Sequence, residues 1–319
     1  MEPIPITILG GSDRTRSRLP DAGRRLHPLA AYKGAALRMD GVPLALVLAK
    51  RLLASGGFAP VTIAGPKRIF EPLIESLWHD EAPLRIIDTD STVARNLQRA
   101  IVDHESHHEG PLAVLACDVL PSTEELRQLR SDFESARPVG LWLPLIASPT
   151  DPTRLGAFAW KPKYRVVPVL RGTTPIPILP GHLAILKPGR LRMRLVTSLM
   201  DAAYRTRNRP VASRRWAMLW RVSGSLLWAD LLQVLQLRPP TRTLSVVLGG
   251  LRISSALHAK ELDARDLEHM LTDAFVHQRW RKLDRPVQLP VLDCLSLAQD
   301  IDTEEEAAAL SAEFVQKTE

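Results

Sequence analysis

The sequence holds only two cysteines, Cys117 and Cys294, too few for a disulfide framework or a thiolate zinc cluster. Lone thiols suit a reducing compartment, so a cytoplasmic location is expected. Aromatic residues are scarce at 5%, leaving few stacking platforms from which a base preference could be read. No run of about 18 uncharged apolar residues occurs, which argues against a membrane span. Met1-Glu2-Pro3 leads into a short apolar run without a basic leader, so no secretory signal is expected. Internal repeats, low-complexity linkers, a Ser-His-Asp order, a Walker loop and a dinucleotide glycine pattern are all missing.

What is present describes a folded chain. Of its 319 residues, 45% are hydrophobic and 24% charged, ordinary for a globular protein with a large core. The net charge of +7 favours anionic partners: nucleic acid, anionic lipid or a phosphorylated small molecule. Arginines occur along the whole chain, so charge alone does not choose among these, and a nucleic-acid partner rests on charge and nothing else. The stretch Arg214–Trp228 mixes tryptophan with arginine and allows a weak membrane-surface contact, although a core helix is the commoner use of such spacing.

Periodicity predicts alternating strands and helices in the first half. Ile4–Leu9 reads as a strand ending at Gly10-Gly11, followed by a polar loop to His27. Residues 43–55 have helical spacing with Gly56-Gly57 as a stop, and 60–65 and 84–87 read as strands. A helix is expected over 92–104. Leu112–Cys117 is an unbroken apolar run, as in a central strand buried on both faces, and it ends at Asp118. Ser122 caps the next helix with Glu125 at the capping-box position, and 139–146 reads as another strand. Beyond it come short strands and loops over 149–188, helices over 191–205, 214–237 and 262–275, and an ambiguous stretch at 244–253. A late strand over 287–292 and a terminal helix from Asp302 complete the pattern. The expected fold is α/β, a three-layer, doubly wound, mostly parallel sheet with an elaborated helical C-terminal half.

Three constellations could carry chemistry. Gly10-Gly11-Ser12 at a strand end lets backbone N–H groups approach a phosphate, with Arg14, Arg16 and Lys33 to neutralise its charge. Set against this is a plain Gly-Gly turn with a solvated basic loop. Asp118 sits at the carboxyl edge of the most apolar strand, where ligands of such sheets bind, and is a hard oxygen ligand suited to Mg²⁺. Asp300 and Asp302 point to one side of an extended chain and could complete a metal site, while capping of the terminal helix by Asp302 or Thr303 is the plainer use. The His104, His107 and His108 cluster and Cys117 are weaker candidates; the cysteine reads as a packed thiol.

In order and spacing these motifs resemble the GT-A-like nucleotidyltransferases that include molybdenum-cofactor guanylyltransferase-like and sugar-phosphate nucleotidylyltransferase proteins. The resemblance rests on Ile8-Leu9-Gly10-Gly11, Arg14 or Arg16, Lys33, Gly41-Val42-Pro43-Leu44, Asn96 in its helix, Ala116-Cys117-Asp118 with Pro121, and Asp300-Ile301-Asp302-Thr303. It implies a single domain, 1–319, whose residues 1–146 bind nucleotide and whose residues 147–319 bind the acceptor. It also implies transfer of a nucleoside monophosphate from an NTP to a small phosphorylated acceptor, with release of pyrophosphate. In that reading Arg14, Arg16 and Lys33 stabilise phosphates; Leu9, Gly10, Gly11, Ser12 and Asn96 meet the nucleotide. Asp118 with Asp300 or Asp302 holds Mg²⁺, and Gly181 and His182 face the acceptor. Two departures stand out: Asp13 in the glycine loop, and His182 where relatives carry asparagine. They motivate an alternative, a non-catalytic descendant of the fold that binds a nucleotide, a protein partner or an anionic surface.

Overall fold

The computed structural model describes residues 2–11, 19, 25–29, 32–80, 82–136, 139–169, 174–206, single positions between 224 and 235, and 262–310. Ser12, Asp13, Arg14 and Arg16 lie outside the described residues, as do most of 214–237, all of 244–253, and 311–319.

The strands are β1 (Ile4–Leu9), the β2–β3 hairpin (Arg38–Met39, Val42–Pro43), β4 (Phe58–Gly65), β5 (Arg85–Asp88), β6 (Leu112–Ala116), β7 (Leu141–Trp142), β8 (Leu145–Ala147), β9 (Tyr164–Val167), β10 (Ile176–Pro180), β11 (Leu183–Leu186), β12 (Leu262–Asp263), β13 (Val287–Gln288) and β14 (Val291–Leu292). Helices α1 (Lys33–Ala36), α2 (Leu44–Ala54), α3 (Lys67–Leu77), α4 (Val93–His107), α5 (Thr123–Ser135) and α6 (Met193–Thr206) lie between them, and a further helix covers Ala264–Phe275.

Seven strands form the main sheet in the order β13-β7-β11-β6-β1-β4-β5. β1 pairs in parallel with both β4 and β6, and β4 with β5, so the chain winds outward from β1 and then crosses back to β6. That reversal creates a switch point between the carboxyl ends of β1 and β6, the place where ligands of such sheets bind. Among the described strands of this sheet only β11 runs antiparallel, between β6 and β7. A second, five-stranded sheet has the order β12-β9-β10-β8-β14.

The strand sequences explain the layering. Along β6, Ala113 and Leu115 join one core with Ile4, Ile6, Ile8, Leu44, Leu48 and Phe133, whereas Leu112 and Val114 join another with Leu97, Ile101, Leu186 and Val276. Alternate side chains of a strand face opposite ways, so a strand covered on both faces must be apolar throughout. Helices over both faces make three layers. Ser122 with Glu125 forms the expected full capping box on α5, and Thr92 caps α4.

Three expectations are corrected. The strand expected over 139–146 is two strands, β7 and β8, which pass into different sheets across Leu143-Pro144. The late strand over 287–292 divides likewise around Pro290 into β13 and β14. Proline has no N–H for a ladder, so both breaks fall where pairing must lapse. The third is α3, unforeseen because Pro72 lies within it and Pro66 before it. Its strongly apolar face, with Phe70 fully buried, offsets the internal proline.

Candidate functional site

The switch point is bounded on one side by the end of β1. Gly10 N–H donates to the Ala64 carbonyl at 2.9 Å, extending the β1–β4 ladder by one residue. A Cβ on Gly10 would lie 2.8 Å from Phe70 Cζ, and one on Gly65 2.5 Å from Phe70 Cε2. A Cβ on Gly11 would collide with Asn96 Nδ2. Both glycines are thus required by what packs beneath them. Asn96 is fully buried; its Oδ1 accepts from Thr89 Oγ1 at 2.8 Å, and its Nδ2 has no hydrogen-bond partner among the described residues. It shapes the underside of the Gly-Gly turn.

The end of β6 bounds the other side, and here charge dominates. Cys117 and Asp118 form a turn directly after the strand. The Cys117 thiol is pushed up to about 12 by burial, with the Asp118 charge adding to it, so it is a packed thiol and not a nucleophile. Cys117 also lies against Gly34, where a Cβ would come within 2.9 Å of Cys117 Cβ. That small residue lets α1 approach closely enough for Lys33 Nζ to donate to Asp118 Oδ2 at 2.9 Å and to Asp302 Oδ1 at 2.7 Å. Tyr32, just before α1, is held by Asp90 and Arg68 from the neighbouring loop and helix.

Asp300 and Asp302 arrive on an extended segment. Ile301 N–H donates to the Asp118 carbonyl at 3.0 Å, and Ile301 itself is buried on the opposite side from the two carboxylates. Leu29 N–H donates to the Asp302 carbonyl, and Pro28 bridges to Thr303, so the returning loop is fastened to the same segment. Thr303 then starts a helical stretch over 304–310. Its Oγ1 accepts from Glu306 N–H, while Glu306 Oε2 accepts from the N–H groups of Asp302 and Thr303 at 2.6 and 3.0 Å. The capping role considered for Asp302 or Thr303 therefore belongs to Thr303, and both aspartate side chains remain turned to the site.

Two participants escaped the sequence reading. Lys161 follows the 3-10 helix Pro152–Trp160 and donates to Asp300 Oδ1 at 2.6 Å, to Asp302 Oδ2 at 3.0 Å and to the Asp300 carbonyl. Glu306 lies 3.7 Å from the same ammonium and accepts from Trp160 Nε1 at 2.9 Å. The Thr-x-x-Glu spacing of residues 303 and 306 is a readable signal for the second. For Lys161 nothing local distinguishes it from other lysines.

His182 stands between β10 and β11, with Nε2 3.3 Å from Asp300 Oδ1. Gly181 before it is compelled by the Pro144 carbonyl, with which a Cβ would collide. The structure thus brings Lys33, Asp118, His182, Asp300 and Asp302 into one cluster. Gly10, Gly11 and Asn96 stand at the adjoining strand end.

Burial alone would lower both lysines, but the carboxylates outweigh it and hold Lys33 and Lys161 above the ordinary lysine value. Burial would raise Asp300, yet His182 and Lys161 hold it well below the usual carboxylate range. Asp302 is raised, by burial and by the neighbouring Asp300 charge. The four carboxylates Asp118, Asp300, Asp302 and Glu306 face the two ammonium groups and His182, which burial would lower but the Asp300 charge holds above the ordinary imidazole value.

Oxygen atoms of Asp118, Asp300 and Asp302 lie within 4.8 Å of one another. A small hard cation with oxygens at about 2.0–2.1 Å spans roughly 4.2 Å across its shell, so modest closure would let the three converge on one ion. Three carboxylate oxygen donors fit a divalent cation of the Mg²⁺ class. The His104–His108 pair instead stacks ring on ring at 5.3 Å, with His104 Nε2 against the Gly110 carbonyl.

No protein-family model matches the chain, and no curated protein matches its sequence. Solved structures do. A hypothetical transferase from Thermus thermophilus superposes with a TM-score of 0.52 at 18% identity, covering 96% of this chain and 100% of that one. A CMP:2-keto-3-deoxy-manno-octonic acid synthetase complexed with CTP gives a TM-score of 0.46 at 12% identity, over 99% and 98% of the two chains. HddC from Yersinia pseudotuberculosis, complexed with GMP-PN, gives 0.42 at 13% identity, over 61% and 79%.

Proposed function

From the α/β transferase fold that the chain shares with the Thermus thermophilus protein, we propose that it is an Mg²⁺-dependent nucleotidyltransferase. It moves a nucleoside monophosphate from an NTP to a small phosphorylated acceptor and releases pyrophosphate. One observation carries this reading: Asp118, Asp300 and Asp302 converge with Lys33 and Lys161 beside Gly10-Gly11, at the switch point of the sheet. Phosphoryl chemistry needs positioning and charge neutralisation more than covalent help, and this cluster supplies both.

In the reaction an acceptor phosphate oxygen attacks the α-phosphorus of the NTP. The new P–O bond forms as the bond to the β-phosphate oxygen breaks, and pyrophosphate carries away the electron pair. Leu9, Gly10 and Gly11 line the nucleotide side, with Asn96 beneath them, and Ser12, which follows them in sequence, is assigned to the nucleotide with them. Arg14, Arg16 and Lys33 neutralise the phosphates. Lys33 is suited to exchange: its two carboxylate contacts can be traded for phosphate oxygens. Asp118, Asp300 and Asp302 would hold Mg²⁺, which when bound offsets charge on the triphosphate. Gly181 and His182 face the acceptor, and Lys161 keeps Asp300 and Asp302 in place.

The test is thermal unfolding with ATP, CTP, GTP and UTP, each with and without Mg²⁺. A ligand at about a hundred times its Kd adds roughly 2.7 kcal/mol. Stabilisation by one nucleotide only when Mg²⁺ is present, and its loss in Asp118→Asn with the fold intact, is the expected result. A panel in which no nucleotide stabilises the protein would instead favour the non-catalytic descendant.

A further inference from the structure

Although arginines occur throughout the chain, their excess over acidic residues does not. Residues 207–261, between α6 and β12, contain nine lysines and arginines against Asp230 and Glu261. The rest of the chain holds 33 basic and 33 acidic residues, so the whole net charge of +7 resides in this one stretch. It also contains three of the seven tryptophans, Trp216, Trp220 and Trp228.

Among its described residues, positions 224, 227, 228, 230, 231, 234 and 235 are helical. Leu227, Trp228, Leu231, Val234 and Leu235 are large apolar side chains that are 49–72% exposed. Their spacing, i, i+1, i+4, i+7 and i+8, puts them on one stripe of the helix, an arc of about 120° at 3.6 residues per turn. Gly224 falls on the same arc with nothing within 4 Å of a Cβ position. Asp230, at the edge of the arc, is one of the charged groups supporting Arg192 beside α6. The polar edge therefore turns toward the body of the protein while the apolar stripe turns away. A contiguous outward stripe of this kind marks a contact surface.

We propose that this helix is a peripheral docking element for an anionic lipid bilayer, with the 227/228/231/234/235 stripe entering the interface and the net positive charge of the stretch that contains it drawing it to anionic headgroups. Charge decides among the occupants. A second copy meeting the same face would bring two strongly positive stretches together. A nucleic acid would satisfy the arginines but leave the leucines and tryptophan in water. An anionic bilayer suits both: tryptophan and leucine favour the headgroup–acyl boundary, and basic residues are drawn to the surface potential. The inference stands apart from the proposed catalytic reading, since none of these residues belongs to the candidate site.

The experiment is co-sedimentation of the full chain with phosphatidylcholine vesicles, with and without phosphatidylglycerol. The protein should pellet with the anionic vesicles, lose affinity as salt rises, and show a blue-shifted tryptophan emission when bound. The double variant L231E/L235E should bind at least about tenfold more weakly. Because both positions are exposed, its melting temperature should match the parent's. W228A, which adds no charge, should lose the emission shift and part of the binding. Absence of sedimentation, equal binding to neutral vesicles, or unchanged binding by L231E/L235E would each overturn the proposal. A concentration-dependent dimer dissolved by the same variant would overturn it in favour of a second copy.

Discussion

The two strand ends that frame the switch point are neighbours in the sheet, yet they are built on different physics. At the end of β1, Gly10 and Gly11 are held by close contact: Phe70 and Asn96 occupy the space any side chain would need. At the end of β6, Asp118 is held by balance of charge, through Lys33 to Asp302 and from Asp302 through Lys161 to Asp300. Steric exclusion is short-ranged and indifferent to salt and pH; a buried ionic cluster is sensitive to both. The same fold therefore offers a ligand one rigid wall and one whose partners can be exchanged.

The largest expected effect breaks the ionic wall. Lys161→Met removes an ammonium that is 8% exposed and leaves Asp300, Asp302 and Glu306 short of a cation. Removing one partner of a buried pair costs about 3–5 kcal/mol, because the remaining charge stays buried. Urea unfolding in the presence of a chelator should show this loss, and divalent cations should restore part of it. A change below about 0.5 kcal/mol would mean that the cluster is solvated and carries no such balance.

That Lys161 had to be seen in three dimensions is instructive. The apolar runs of β1 and β6, the glycines after β1 and the Ser122–Glu125 box are local patterns, written within a few residues of where they act. Asp118 was legible because an acidic residue closes an apolar strand; Asp300 and Asp302 were legible through the order of the motifs, since other acids spaced by one, such as Asp88 and Asp90 or Asp103 and Glu105, occur in the chain. Lys161 meets Asp300 across 139 positions of sequence, with its ammonium beside the rings of Phe158 and Trp160. Sheet-switching at Pro144 and the antiparallel insertion of β11 are long-range outcomes of the same sort.

Breaking the steric wall should cost less and behave differently. Gly11→Ala forces a methyl onto Asn96, and Gly65→Ala forces one onto Phe70. Overpacking of this kind costs about 1–3 kcal/mol. The loss should be the same at low and high salt, whereas that of Lys161→Met should not. Pairing Gly11→Ala with Asn96→Ala should recover part of the cost, with a coupling of about 0.5–3 kcal/mol. Simple additivity in that double-mutant cycle would show that the turn relaxes away from Asn96.

Acid titration sharpens the comparison further. Asp300 is held below the ordinary carboxylate value of about 3.9, so its ionised form adds stability that is present above that value and lost as pH falls toward its folded pKa. Asp302 is raised, so it acts with the opposite sign: its stabilising share exists when protonated and declines as pH rises through its folded pKa. Metal-free Asp300→Asn should therefore unfold with a flatter acid limb than the parent, while Asp302→Asn should not. If both variants flattened the limb equally, the two carboxylates would share their cations evenly.

The smallest effect provides the scale for the others. Ser122 caps α5 by accepting from Glu125 N–H at 3.2 Å, and Glu125 returns a bond to Ser122 N–H at 2.7 Å. Ser122→Ala should cost about 1 kcal/mol, the usual value of an N-cap. It follows β6 by only a few residues, but its hydrogen bonds run along the helix and touch neither the lysines nor the Gly-Gly turn. Combined with Lys161→Met or with Gly11→Ala, it should add within about 0.3–0.5 kcal/mol. Coupling to Lys161→Met alone would mean that the ionic cluster reaches into α5 and that Asp118 depends on the helix behind it. Coupling to both would mean that the ends of β1 and β6 move as one unit, and the distinction between a rigid and an exchangeable wall would fail.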